Sequence, residues 1–178
     1  MPRQSNSSRA SVTSGPPTEP GARVYYILRR SDALAEGHRI ASARWSYVAN
    51  VLGYPAALIS AITGAAAFSS LPYSQQVTGV LALIVAVLTA TNAFFKPSDK
   101  ASKHAQAHRG YQAIVDETLP YVQSESERSA PSTPSTEQEQ TQLREWAARI
   151  AKAFDDVNGG SPDLPNWAEN RVRTKLSS

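Results

Sequence analysis

Between Arg44 and Lys96 the chain runs 51 residues, Trp45 to Phe95, without one Asp, Glu, Lys, Arg or His. Bilayer hydrocarbon takes about 20 mostly apolar residues per helical crossing. The run supplies two such lengths, at about 48–71 and 77–95, on either side of the uncharged turn Leu71-Pro72-Tyr73-Ser74-Gln75-Gln76. This is the pattern of a membrane hairpin, and the fold class it predicts is an all-α membrane protein.

Charge fixes the expected orientation. Arg23, Arg29, Arg30, Arg39 and Arg44 precede the first crossing, Lys96, Lys100, Lys103 and Arg109 follow the second, and the turn has none. The positive-inside rule then puts both termini of this multi-pass chain in the cytosol. The net charge of +3 is explained by this topology, so no nucleic-acid partner is expected. There are no cysteines, which excludes disulfides and thiolate chemistry.

Periodicity organises the rest. Ile27, Ser31, Leu34, His38, Ala41, Trp45, Val48 and Leu52 recur at alternating spacings of four and three, one helical stripe that predicts a cytosolic helix running straight into the first crossing. Beyond the second crossing Lys96-Pro97-Ser98 interrupts the helix, with Ser98 expected to cap a new one. Ala101, His104, His108, Tyr111, Val115 and Leu119 carry its stripe, and Pro120 is expected to end it. The hairpin thus continues below the membrane as two antiparallel helices, stripe against stripe. Residues 1–22 read as a disordered tail, 23–122 as the helical domain, and 123–136 as a Ser/Pro-rich linker. In the remaining segment, 137–178, Thr136 with Glu139 fits a capping box. Leu143, Trp146, Ala147, Ile150, Phe154 and Val157 make an amphipathic helix that stops at Gly159-Gly160, and 166–176 a short basic one.

Small residues line one side of each crossing: Gly53, Ala57, Ser60, Gly64 and Ala67 on the first, Gly79, Ala82, Ala86, Thr89 and Ala93 on the second. Such faces let helix backbones approach closely in lipid. Two readings stay open, packing of the hairpin on itself and contact between copies in a homo-oligomer, where Thr63 and Asn92 are candidate pore-lining groups. His104 and His108, four apart on one helix side, would bind a metal only with His38 or an acid from the facing helix. With Tyr111 they read instead as packing residues of the cytosolic stalk, and no metal or other cofactor is expected. No phosphate loop, metalloprotease His pair or nucleophile elbow occurs, so an enzyme is not expected.

Leu52-Gly53-Tyr54-Pro55-Ala56-Ala57, Phe95-Lys96-Pro97-Ser98-Asp99-Lys100-Ala101, the His104-to-Tyr111 spacing, and the tail Pro162-Asp163-Leu164-Pro165-Asn166-Trp167 together resemble the SLATT family. These are proteins with two transmembrane helices found beside SMODS nucleotide cyclases and SLOG nucleotide sensors in prokaryotic conflict systems. The resemblance covers about residues 23–176. It implies an antiviral effector that assembles in the inner membrane and forms pores or disrupts the bilayer, killing or arresting the cell when a separate nucleotide-sensing or cyclase partner reports infection. The alternative is a membrane-anchored, non-enzymatic scaffold whose Leu143, Trp146, Ile150 and Phe154 face a cytosolic partner.

Overall fold

The computed structural model describes residues 17–67, 74–127 and 136–177. The expected tail up to residue 16, the turn over 68–73 and the linker over 128–135 lie outside the described residues. Five helices account for nearly all the rest: α1 Pro20–Ala67, α2 Ser74–Phe95, α3 Pro97–Glu127, α4 Glu137–Gly160 and α5 Asn166–Ser177. No strand occurs among the described residues.

Helix α1 runs 48 residues without a break, about 72 Å at 1.5 Å per residue. Pro20, with its φ already fixed near the helical value, suits the first position, and Arg23 N donates to the Glu19 carbonyl at 2.9 Å. Helix therefore takes in the last three residues of the expected tail. Pro55 sits inside α1 and removes the donor that would bond to the Val51 carbonyl.

The second arm is two helices with one residue between them. Lys96 N donates to the Asn92 carbonyl, Lys100 N donates to the Lys96 carbonyl, and Lys96 itself has φ 44°. That left-handed conformation costs a side-chain-bearing residue about 1–2 kcal/mol. Pro97 explains why it arises, because a residue before proline is pushed out of the right-handed helical region. The interruption falls where the sequence places it, but Ser98 is not its cap. Pro97 takes the first helical position and leaves Ser98 within the first turn. Pro120 does not end α3 either, which continues to Glu127 with the proline inside. The carbonyl that loses its amide partner belongs to Asp116, an exposed residue, so water can satisfy it.

Every other helix packs on α1. Its upper part, from about Trp45, pairs with α2. Its lower part pairs antiparallel with α3, as Ser42 meets Ala101, His38 meets His104 and Ala35 meets His108. The stripe expected on α1 is the face turned inward: Ile27, Ser31, His38 and Ala41 are buried and Leu34, Trp45, Val48 and Leu52 half-buried. On α3, Leu119 is 39% exposed while its neighbour Thr118 is fully buried.

Helix α4 lies across α1 and α3, held at its start by a full capping box. Glu139 N donates to Thr136 Oγ1 at 3.2 Å and Thr136 N to Glu139 Oε2 at 3.3 Å. Its stripe completes the core of Ile27, Ala35, Ala107, Tyr111, Ile114, Ile150, Ala151 and Phe154. Helix α5 docks on α1, antiparallel, with Lys175 paired to Asp32 at 2.8 Å and Arg44 over the Trp167 ring at 4.7 Å. Two glycines make these approaches possible. A Cβ on Gly37 would come within 2.6 Å of Val172, and one on Gly110 within 3.0 Å of Val157.

Candidate functional site

Above the bundle the hairpin keeps its apolar side chains outside. The most apolar stretches of both arms contain no buried residue, and both are long and apolar enough to cross a membrane. Leu58, Ile62, Leu83 and Val87 are each more than half exposed. In a soluble protein a helix of this composition is ordinarily among the most buried elements, whereas these stretches are the least buried of the described residues.

The seam between the two arms is made by the larger residues. From Leu52 upward, Leu52, Gly53, Ala56, Ile59 and Thr63 of α1 and Thr78, Leu81, Val85, Leu88, Thr91 and Asn92 of α2 are the half-buried positions. Ala57, Ser60 and Gly64, and Gly79, Ala82, Ala86 and Thr89, are exposed. A Cβ built on Gly53, Gly64 or Gly79 meets nothing within 4 Å. Most of the small-residue positions therefore point away from the hairpin's own seam, with Gly53 the member that lies half-buried.

Polar groups in the hairpin divide into two kinds. Ser60 Oγ donates to the Ala56 carbonyl and Thr63 Oγ1 to the Ile59 carbonyl, both at 2.7 Å, so these hydroxyls are satisfied on their own helix. Thr78 Oγ1 and Asn92 Oδ1 are buried in the seam with no hydrogen-bond partner. Unpaired buried polar atoms are costly, by about 1–3 kcal/mol each. Asn50, the other amide near this level, is exposed and lines a shallow cleft of about 310 Å³ with Ser42, Ser46, Ser98 and Ser102.

Directly below the uncharged run, aromatic rings and cations pair. Lys100 lies 4.4 Å from the Trp45 ring centre and Arg44 4.7 Å from that of Trp167. Trp167 is thus brought from the far end of the chain to the level of Trp45, a proximity with no signal in the sequence because it depends on how α5 docks.

Beneath this layer lies the histidine cluster. His38 and His104 are 2% and 4% exposed, with their Nδ1 atoms 2.9 Å apart. One ring must donate and the other accept, so at least the accepting ring is neutral when the pair is bonded this way. The Tyr111 ring stacks on His38 at 5.6 Å, and its hydroxyl donates to Asn158 Oδ1 at 3.1 Å. His108 Nδ1 donates to the Ala35 carbonyl at 3.0 Å. Burial, with His104 and His108 nearby, pushes His38 down to about 4. Burial likewise lowers His104 and raises the Tyr111 phenol. The four stalk residues meet, but His108 turns to the backbone rather than to the other two rings. Among the described residues no group of three or more His, Cys, Asp or Glu is placed to hold a metal.

The stripe expected to face a partner is used within the chain. Ile150 and Phe154 are 1% and 8% exposed in the core, and Trp146 packs against Tyr121 with ring centres 5.0 Å apart. An amphipathic stripe looks the same whether its cover is internal or external, so the sequence alone could not separate the two.

Comparison with protein-family models, curated proteins and solved structures gives no match.

Proposed function

We propose that this protein is a non-enzymatic membrane effector that spans the inner membrane as a helical hairpin, with both termini in the cytosol, and that copies assemble through the small-residue faces to open a path across the bilayer. In the SLATT-like reading the trigger comes from a separate nucleotide-sensing or cyclase partner of an antiviral system, and the outcome is cell death or growth arrest. The observation that carries the reading is the orientation of the hairpin faces. Ala57, Ser60, Gly64, Gly79, Ala82, Ala86 and Thr89 are exposed, and Gly53, though half-buried, has open space beside it. Association of helices in lipid rests on close backbone approach at such positions.

A scaffold that recruits its partner through Leu143, Trp146, Ile150 and Phe154 is less well supported. It would first have to undock α4 from its own core.

The outward orientation makes a clean test. Leucine at Gly64 or Ala86 meets open space within one copy, so the hairpin itself is undisturbed. In membranes, Gly64→Leu and Ala86→Leu should each reduce crosslinked oligomer and dye release from vesicles several-fold. Parental oligomer and dye release in both variants would refute assembly through these faces.

A further inference from the structure

The α1–α3 seam repeats itself one helical turn along α3. Opposite Ser42, His38 and Ala35 stand Ala101, His104 and His108. Four residues further along, the same positions read Ala105, His108 and Gln112. Alanine replaces alanine and histidine replaces histidine, while the Gln112 amide can donate to the Ala35 carbonyl as His108 does now. Beyond them Val115 takes the place of Tyr111, and Leu119, now 39% exposed, takes the place of the buried Val115.

We propose that the stalk has two registers, that α3 lies about 6 Å nearer the hairpin in the second, and that α4 and α5 act as a strap that holds the first. One-turn slides of this kind are an established form of switching, because packed interfaces are bistable rather than continuously deformable.

The strap follows from the two glycine seats. Helix α4 sits on α3 where Gly110 admits Val157, and α5 sits on α1 where Gly37 admits Val172. Only residues 161–165 join them. In the second register Ile114 arrives where Gly110 was, and a side chain cannot fit where a Cβ alone would come within 3.0 Å of Val157. The strap must thus open whenever the slide occurs, so loss of a glycine seat or of the first rung favours both together. Since Lys96 alone separates α2 from α3, the slide carries α2 along and brings Thr89 and Asn92 to the levels held by Val85 and Leu88. The hairpin seam then exchanges Val85 and Leu88 for the polar Thr89 and Asn92. That consequence rests on the membrane-effector reading, whereas the two registers do not.

The chain has no cysteine, so spin labels can be attached at Ala43→Cys and Asp116→Cys, both exposed positions. The full chain is reconstituted in phosphatidylcholine–phosphatidylglycerol vesicles and diluted with unlabelled chain. One inter-label distance is expected for the parent. A second, shorter one should appear in Gly37→Leu, which displaces α5, and in His104→Ala, which removes the first rung, as the axial offset falls by about 6 Å. Adding His108→Ala to His104→Ala should abolish it, because the second register then loses its rung too. Gly37→Leu leaves the seam intact and decides the matter if His104→Ala does not fold. A single unchanged distance in Gly37→Leu overturns the proposal. Dye trapped in the same vesicles separates the two ideas: a second distance without leakage upholds the registers and refutes the pore, and leakage with one distance refutes the registers alone.

Discussion

At Lys96 one residue joins two helices, and it is not a glycine. Its φ of 44° is imposed by Pro97 behind it and by the closing bond to Asn92 ahead of it. Lys96→Gly relieves the steric cost but adds freedom to the unfolded chain, so the net expectation is a gain of about 0.5–1 kcal/mol. It should appear as slower amide exchange at Lys100 and Ala101 in the full chain held in micelles, and faster exchange there would contradict the account. The sequence marked this break but named Ser98 as its cap, since serine is a common cap and the pre-proline restriction on Lys96 is a quieter signal. Tyr111 is a similar case. Its place on the stripe was legible, while its bond to Asn158 needs the docking of α4, 47 residues downstream.

Among the elements, those with a strict spacing were read well. The α1 stripe turned inward at each expected position, and the Thr136–Glu139 box formed. Thr136→Ala should cost α4 about 1 kcal/mol, seen as faster exchange of the Glu139 and Gln140 amides with little change in α3. Equal loosening of both helices would mean that the cap stabilises the whole bundle. What spacing could not tell was which side of a stripe or face meets what. Small residues suit a neighbouring helix and lipid alike, so the outward turn of Gly64 and Ala86 had no signature. The same ambiguity placed Ile150 and Phe154 on an outer surface instead of in the core. Pro120 misled because α3 continues through it, and the Asp116 carbonyl it orphans lies on an exposed residue that water can reach.

For the molecule as a whole, the buried histidines tie stability to acidity. His38 is held near 4 in the fold by burial, against about 6.5 in an unfolded chain. Between these values the unfolded state binds more protons, so stability is fully present above about pH 6.5 and falls as pH drops toward 4. Thermal melts of the full chain in micelles should show a lower midpoint at pH 5 than at pH 7, and His38→Leu should flatten that slope. An undiminished slope in the variant would place its origin elsewhere.

The unbroken course of α1 has a mechanical consequence. Some 25 of its residues, 20–44, extend below the uncharged run, about 37 Å of stiff rod. A hydrophobic helix in a thinner bilayer tilts to fit it, and this one has no joint at the boundary to absorb the angle. Under the proposed membrane reading, each ten degrees of lean would swing its lower end sideways by about 6 Å, and bilayer thickness would itself become a quantity that end feels.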